Sequence, residues 1–414
     1  MIDLETVTLD NGLKIYLYQD KRKHSVFFQI TTFCGGLTKH FKFDNKEYNL
    51  HDGIAHILEH YVVECNPKGN FLDKLGAKQM NTNASTAKET TSFYFETVEN
   101  IEYGIDTMLE GLYNITFDKD KLEKLKKPIV QEIRGKLDNK FYHLAINKHK
   151  TLFHNLDYSN TGGTPEEVTK TTIDDLEVLY KAFYQPKNQF ILIAGNFNKT
   201  KILKQIKDFY KNKKFDTSTE LIKIDEPKTV NKKEDVIYFP TPMEYVDVAF
   251  KIDVEKLSTI EKYDLDFLLN SFFNASFGIT SKLYEKLVLN NIIIDSIQTG
   301  IYNIDHFVII NVGSYTTNPE VFKQEVLKEI KSLNSFSEER FELDKKSAII
   351  RLIVRDESIF KTIRPLLNNI IIYNYPFLDK IEDIKRLTFN DLVKTIKNLD
   401  FSNYSITTIK NSEE

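Results

Sequence analysis

The sequence predicts an α+β protein of two duplicated α/β-sandwich domains, each a mainly antiparallel sheet covered by helices on one face. Three observations carry that expectation. At 414 residues the chain is long for one core and comfortable for two of about 200 residues each. Its 41% hydrophobic and 28% charged residues are the balance of a folded globular protein. Strand-like alternation and helix-like periodicity succeed one another along the chain, and their order recurs after a polar stretch.

The elements follow in order. "TVTLDNGLKIYLYQ" alternates as paired strands with Asn11-Gly12 as the hairpin turn, and "SVFFQITTFCGG" is a further strand. Helical periodicity spans Ile54–Val63, and "NFLDKLGA" reads as a short helix. "STAKETTSFYFETV" returns to a strand, because β-branched and aromatic residues dominate it. Helical text occupies about 102–155 and "TIDDLEVLYKAFY", and "QFILIAGNF" is a buried strand ending in a Gly turn. The stretch from 213 to 235 is polar and irregular. The domains are therefore set at 1–215 and 236–414, with 216–235 as the linker. Beyond it, "YVDVAFKIDV", "TIEKYDLDFLLNSFF", "HFVIINVGSY" and "VFKQEVLKEIKSL" read as strand, helix, strand and helix.

Composition excludes several classes. A net charge of −4 offers no basic field for nucleic acid, and "KDKLEKLKK" reads as a solvated helix face. The opening "MIDLETVTLDNGLKIYLYQD" has acidic residues where a secretory signal needs a basic segment and an apolar run. No stretch approaches the roughly 18 apolar residues of a membrane span. The two cysteines, Cys34 and Cys65, form no CxxC, so a reducing cytoplasm is expected. There is no GxSxG elbow and no GxxxxGK[ST] loop, and Cys65 reads as a small buried residue rather than a nucleophile.

The chemistry concentrates in "DGIAHILEHYVVEC", which places His56, Glu59 and His60 within five residues of a chain that has nine histidines. On a helix, residues four apart share a face, so His56 and His60 aim two imidazoles at one point, as zinc requires. Glu59 borders that face, where it can polarise a metal-bound water without being a ligand. This order, HxxEH, reverses the commoner HExxH. The plain alternative is a pair of satisfied histidines on a solvated helix. His51, ahead of the helix, reads as a surface or supporting histidine.

A hydrolytic zinc needs three protein ligands and one open position, and a carboxylate complements two histidines. Glu132, in "KKPIVQEIRG", has apolar neighbours Ile129, Val130 and Ile133 that would turn it inward, and it lies 72 residues after His60. On spacing alone Glu64, Glu89, Glu110 and Glu123 are its rivals.

These stretches resemble the pitrilysin/insulinase family of zinc peptidases, in the short two-domain bacterial form, similar to subunits of mitochondrial processing peptidase. "LDNGLKIYL" resembles the family's opening strand, "DGIAHILEH" its metal helix, and "LGAKQMNTNASTAKETTSFYF" the helix and substrate strand that follow. "PIVQEI" resembles the segment bearing the third ligand, and "GGTPEEVTKTTIDDLEVLYKAFYQPKNQFILIAGNF" the close of the first domain. The resemblance implies one Zn2+ per chain held by His56, His60 and Glu132, with Glu59 as general base. It further implies that Asn83-Ala84, with Ser85 and Thr86, lie on a strand that pairs with the substrate backbone.

Three departures from the family pattern stand out. Leu125 replaces a second glutamate seven residues before Glu132. Pro128 is expected to kink or restart the helix just ahead of Glu132. Active single-chain relatives also carry an Arg and, seven residues on, a Tyr in their second half. "SKLYEKLVLNNIIIDS" resembles that segment but places Val288 and Asp295 there, and no Arg lies between Ser281 and Tyr302. The resemblance therefore implies a heterodimer in which a sister subunit supplies the Arg/Tyr pair. The competing expectation is a non-catalytic or structural-zinc subunit.

Overall fold

The computed structural model describes residues 3–155, 160–211, 213, 215, 219–332, 336–378 and 381–412. It divides into two compact units. One comprises Met1–Asp138, Asn160–Lys223 and Ser358–Leu367, and the other Asn139–Ser159, Ile224–Glu357 and Asn368–Glu414. Both are α+β, with mainly antiparallel sheets, as the sequence leads one to expect.

The first unit contains β1 (Asp3–Thr8), β2 (Lys14–Gln19), β3 (Val26–Thr32), β4 (His40–Phe43), β5 (Lys46–Asn49), α1 (Ile54–Glu64), α2 (Phe71–Gly76), β6 (Asn81–Thr86) and β7 (Thr91–Thr97). It continues with α3 (Ile101–Tyr113) and α4 (Lys119–Leu137). After α5 (Lys140–Leu152), which belongs to the second unit, come α6 (Pro165–Lys170), α7 (Ile173–Phe183), β8 (Gln189–Gly195), α8 (Lys199–Tyr210) and β9 (Glu220–Leu221). Its main sheet has the order β1-β2-β8-β3-β7-β6, parallel only between β2 and β8. The β1–β2 hairpin turns through Asn11-Gly12, where Gly12 N–H donates to Leu9 O at 2.9 Å. β3 does not neighbour β2, because β8 inserts between them. "QFILIAG" is buried along its whole length, which suits a central strand and not an edge. One face of the sheet presents Phe28, Ile30, Phe93 and Phe95 to the core residues of α1, α3, α7 and α8. On the other face Phe27 and Tyr94 each meet Phe360, with ring centroids 5.9 Å apart.

The second unit contains β10 (Glu234–Tyr238), β11 (Glu244–Asp253), α9 (Thr259–Phe277), α10 (Lys282–Leu289), β12 (Gln298–Ile304), β13 (Phe307–Thr316) and α11 (Pro319–Ser332). There follow α12 (Glu338–Arg355), α13 (Ile359–Tyr373), whose start belongs to the first unit, α14 (Ile381–Arg386), α15 (Phe389–Asn398) and β14 (Tyr404–Lys410). The strand order is β10-β14-β11-β13-β12. Val246, Val248, Phe250 and Ile252 of β11 pack with Leu269 and Phe272 of α9, Phe322 and Val326 of α11, and Leu392 of α15. α5 lies on the opposite face, where Leu144 meets Tyr245 and Ile409. Each sheet thus gains a helix on its second face, in addition to the one-sided cover expected. The bounds 1–215 and 236–414 follow the run of the chain, whereas packing assigns α5 to the second unit and Ser358–Leu367 to the first.

Two readings change. The described part of the linker is mostly irregular and exposed, and its two ends are anchored in strands. β9 pairs with β4, and β10 already begins at Glu234 and pairs in parallel with β14. Between them Glu226 and Lys251 form a fully buried ion pair at 2.6 Å. Glu226 also accepts the His154 and Asn155 N–H groups, and Lys251 donates to the carbonyls of Leu152, Pro227 and Thr229. Glu226 is the buried exception in a polar stretch that otherwise faces water, and its pairing inside is what such burial requires.

Pro128 does not restart a helix: α4 runs through it from Lys119 to Leu137. Pro128 and Lys124, whose carbonyl loses its partner, are both exposed, so water takes the lost hydrogen bond. Leu125 is buried in the first unit's core. Pro128→Ala is expected to raise folding stability by about 1–2 kcal/mol, the restored helix geometry outweighing the freer unfolded chain. Chemical denaturation measures it. An unchanged or lower midpoint would show that the proline is not a cost here.

Candidate metal centre

α1 begins where two loops pass back to back. Gly53 has φ 78° and Gly163 φ 76°, and a Cβ on Gly53 would stand 2.5 Å from Gly162 O. Only glycine allows that approach, and it seats Gly162 beside His56, its ideal Cβ 3.9 Å from Nδ1. From there α1 is buried on almost every side: Ile54, Ala55, Ile57, Leu58, Tyr61, Val62 and Val63 all join the core. Tyr61 ties it to the start of α4, since its hydroxyl accepts the Asp118 N–H at 2.6 Å and donates to Thr116 O at 3.1 Å. Asp118 is itself the N-cap of α4, accepting from Asp120 N and Lys121 N.

That contact brings three side chains together. His56 and His60 face each other with Nε2 atoms 3.2 Å apart. Glu132 lies across from them, Oε1 3.6 Å from His56 Nε2 and Oε2 3.4 Å from His60 Nε2. A four-coordinate zinc with bonds of about 2.0–2.1 Å spaces its ligand atoms about 3.3 Å apart. The three separations match that spacing, so this donor set fits the ion. Burial first, then the charges of His60 and Lys136, pull the His56 pKa down to about 4 against the opposing pull of Glu132. His56 is therefore neutral near pH 7, with a lone pair to give.

The surroundings orient these groups. His60 Nδ1 donates to Glu64 Oε1 at 2.8 Å, which leaves its Nε2 lone pair facing Glu132. Lys136 Nζ donates to Glu132 Oε1 at 2.6 Å. Burial pushes the Glu132 carboxyl up, but this bond and the charges of His56, Lys136 and His60 carry it below the ordinary value. Glu59 is 8% exposed. Burial raises its pKa, opposed by the Thr86 hydroxyl, which donates to Oε2 at 2.5 Å. His51 stands apart, hydrogen-bonded to Asp52 O and Thr171 Oγ1.

Among the rivals to Glu132, Glu110 and Glu123 pair with Lys68 and Lys126, and Glu64 serves His60 instead of joining the facing atoms. The i,i+4 interval from His60 to Glu64 was the signal for that supporting role, and sequence reasoning passed it over as a rival ligand. A second acidic group, Asp253, Glu255 and His306 in the other unit, is already bridged by Lys228 Nζ.

Asn83 and Ala84 lie on β6, which pairs with β7 on one side and with no strand on the other among the described residues. Asn83 and Ser85 are exposed, whereas Ala84 and Thr86 are half-buried. A cavity of about 450 Å³ joins this edge to His56, Glu59, His60 and Glu132.

Comparison with known proteins shows the family. Residues 43–166 match the model of insulinase, peptidase family M16, and residues 170–347 the model described as the peptidase M16 inactive domain. The chain belongs to the M16 peptidase family. A relative named uncharacterised zinc protease YmfH, from Bacillus subtilis, is 25% identical over 77% of this M16 chain and 75% of its own length. A Helicobacter pylori relative named non-peptidase homolog YmxG is 22% identical over 90% of this chain and 87% of its own. The crystal structure of a putative M16-like peptidase from Alicyclobacillus acidocaldarius superposes with a TM-score of 0.88 at 22% identity, covering 99% of both chains. Among the described residues no helix is long and apolar enough to cross a membrane.

Gly53 and Gly69 both have positive φ, but only Gly53 faces crowded backbone, whereas a Cβ on Gly69 would meet nothing within 4 Å. Gly53→Ala is expected to cost more than about 2 kcal/mol of stability and Gly69→Ala about 1, since the second carries backbone strain alone. Equal losses in a thermal melt would contradict the close approach at the start of α1.

Proposed function

We propose that this M16 chain is a zinc metalloendopeptidase, the zinc-bearing subunit of a heterodimer, cutting peptides or unfolded segments held as an added β-strand. The observation that carries the reading is the convergence of His56, His60 and Glu132 with Glu59 buried beside them. His56, His60 and Glu132 would hold one zinc ion, which lowers the pKa of bound water and polarises a carbonyl. Glu59 takes the proton of the attacking water and returns it to the leaving amine. Its raised proton affinity suits both halves of that task, and Thr86 fixes one oxygen while the other stays available. The free edge of β6 offers the backbone of Asn83 and Ala84 to the peptide, so recognition is mainly of main chain and sequence preference is loose. Two free, buried cysteines support a reducing compartment, and we place the protein in the cytoplasm.

A non-catalytic subunit is the second reading, favoured by the long match to a relative named a non-peptidase homolog. The complete HxxEH run and the facing Glu132 argue against it. A purely structural zinc would close its fourth position with another Cys or His, and the facing donors among the described residues are only these three.

Glu59→Gln is expected to keep its zinc by elemental analysis yet to lose at least a hundredfold in cleavage of a quenched peptide. Wild-type turnover would remove Glu59 from the role of base. At limiting metal, Glu132→Ala should lose zinc most, Glu64→Ala should bind about 10–100-fold more weakly, and Glu123→Ala should match wild type. Equal occupancy in all three would separate Glu132 from the metal.

The partner is inferred from what the second unit lacks. Val288 is an exposed residue of α10, and Asp295 is exposed and ionisable. Neither can donate to a developing oxyanion. Tyr302 is held inside its own unit by His149, at 3.1 Å. A sister subunit supplying an Arg and a Tyr would complete the site. The chain alone should bind zinc but cleave poorly, and the sister should raise kcat/KM by about 10²–10³. Full activity from a monomer or homodimer, with no response to a sister, would end the heterodimer reading and leave the peptidase reading standing.

A further inference from the structure

The second unit holds its own polar cavity, of about 510 Å³, between α5 and the sheet. Its innermost charged group is Asp247 on β11, only 2% exposed. Asp247 Oδ2 accepts from Asn311 Nδ2 at 3.3 Å and faces Lys148 Nζ at 3.5 Å. Oδ1 is equally buried and meets no donor among the described residues. A buried carboxylate oxygen without a donor is costly, and what it lacks is specific: an N–H or O–H aimed at it.

Two further features say which donor. Asp295 adds a second carboxylate to the lining, beside the ammonium of Lys148. The cavity is also walled by aromatic rings. Phe141 and Tyr245 meet edge to face at 5.1 Å, as do Tyr245 and Tyr315. Lys140 Nζ already stands 4.8 Å over the Tyr315 ring, so this wall accepts a cation. Burial first, then Asp247, Tyr315 and Asp295, push the Tyr245 hydroxyl up. A divalent metal ion is disfavoured, because Lys148 would oppose it and only two carboxylates line the space. A flat monocation with several donors fits better.

We propose that this cavity binds a guanidinium group, the side chain of an arginine carried on a peptide. Its planar fork supplies the donor that Asp247 Oδ1 lacks, Asp295 balances its charge, and the rings receive its faces. That the same peptide is the one cut rests on the peptidase reading; the binding itself does not.

The test is calorimetry on the full chain carrying Glu59→Gln, so that the ligand survives. An unstructured peptide with one arginine is compared with the same peptide carrying citrulline, which keeps the shape and loses the charge. The arginine peptide should bind at least tenfold more tightly. Asp247→Asn and Asp295→Asn should each shrink that preference. Lys148→Met should strengthen arginine binding severalfold, because it removes a competing cation, whereas a merely structural Lys148 would weaken it or leave it unchanged. If Asp247→Asn does not fold, the Asp295 and Lys148 variants carry the test. Equal binding of the two peptides, or weaker arginine binding by Lys148→Met, would overturn the proposal. Because only binding is read, that result would leave the peptidase reading intact, and an absence of cleavage would leave this one intact.

Discussion

The first unit depends on one constraint: α1 has no polar side to spare. Nine of its eleven residues are buried, His56 and Glu59 among them. An ordinary surface helix turns one stripe inward and can rotate or slide at modest cost. A helix packed on nearly all sides cannot, because each rotation would trade close-packed contacts for voids. Its i,i+4 histidines are therefore held in direction by the core, and Tyr61 fixes its distance to α4 through the Asp118 turn. Glu132 meets the two imidazoles because α4 is anchored there. The burial that stiffens α1 also raises the proton affinity of Glu59 and keeps His56 neutral. Packing and chemistry are here one design.

Much of this was legible in the sequence because its signals are local. The 3.6 period over Ile54–Val63, the Asn11-Gly12 turn and the β-branched run before Thr97 each depend on residues within one element. The facing of His56, His60 and Glu132 could be anticipated from donor chemistry, with spacing leaving four rivals open. What was not legible is long-range. Alternation identifies β3 and β8 as strands but does not say that β8 enters between β2 and β3. Polarity made 216–235 a linker because composition cannot reveal that Glu226 ends in a buried, fully bonded pair with Lys251. Pro128 reads as a break by local rules, and the helix continues at a position where Pro128 and Lys124 are both exposed.

The two units are built alike and equipped differently. The first brings the facing His56, His60 and Glu132 to the free edge of β6, where Thr86 links the edge strand directly to Glu59. An added strand would therefore lie against the same element that holds the base, which couples occupancy of the edge to placement of the proton acceptor. The second unit has no HxxEH run, and its polar cavity centres on Asp247, with Asp295 also in the lining. A charge that repels an oxyanion is suited to holding a cation.

The central claim is that His56, His60 and Glu132 form one zinc site. X-ray absorption at the zinc edge, on the full chain purified with its metal, tests it most directly. The account expects one zinc per chain with two imidazole nitrogens and one or two carboxylate oxygens at about 2.0–2.2 Å, and no sulfur. Bound zinc with sulfur ligands, or with no histidine in its shell, would contradict it.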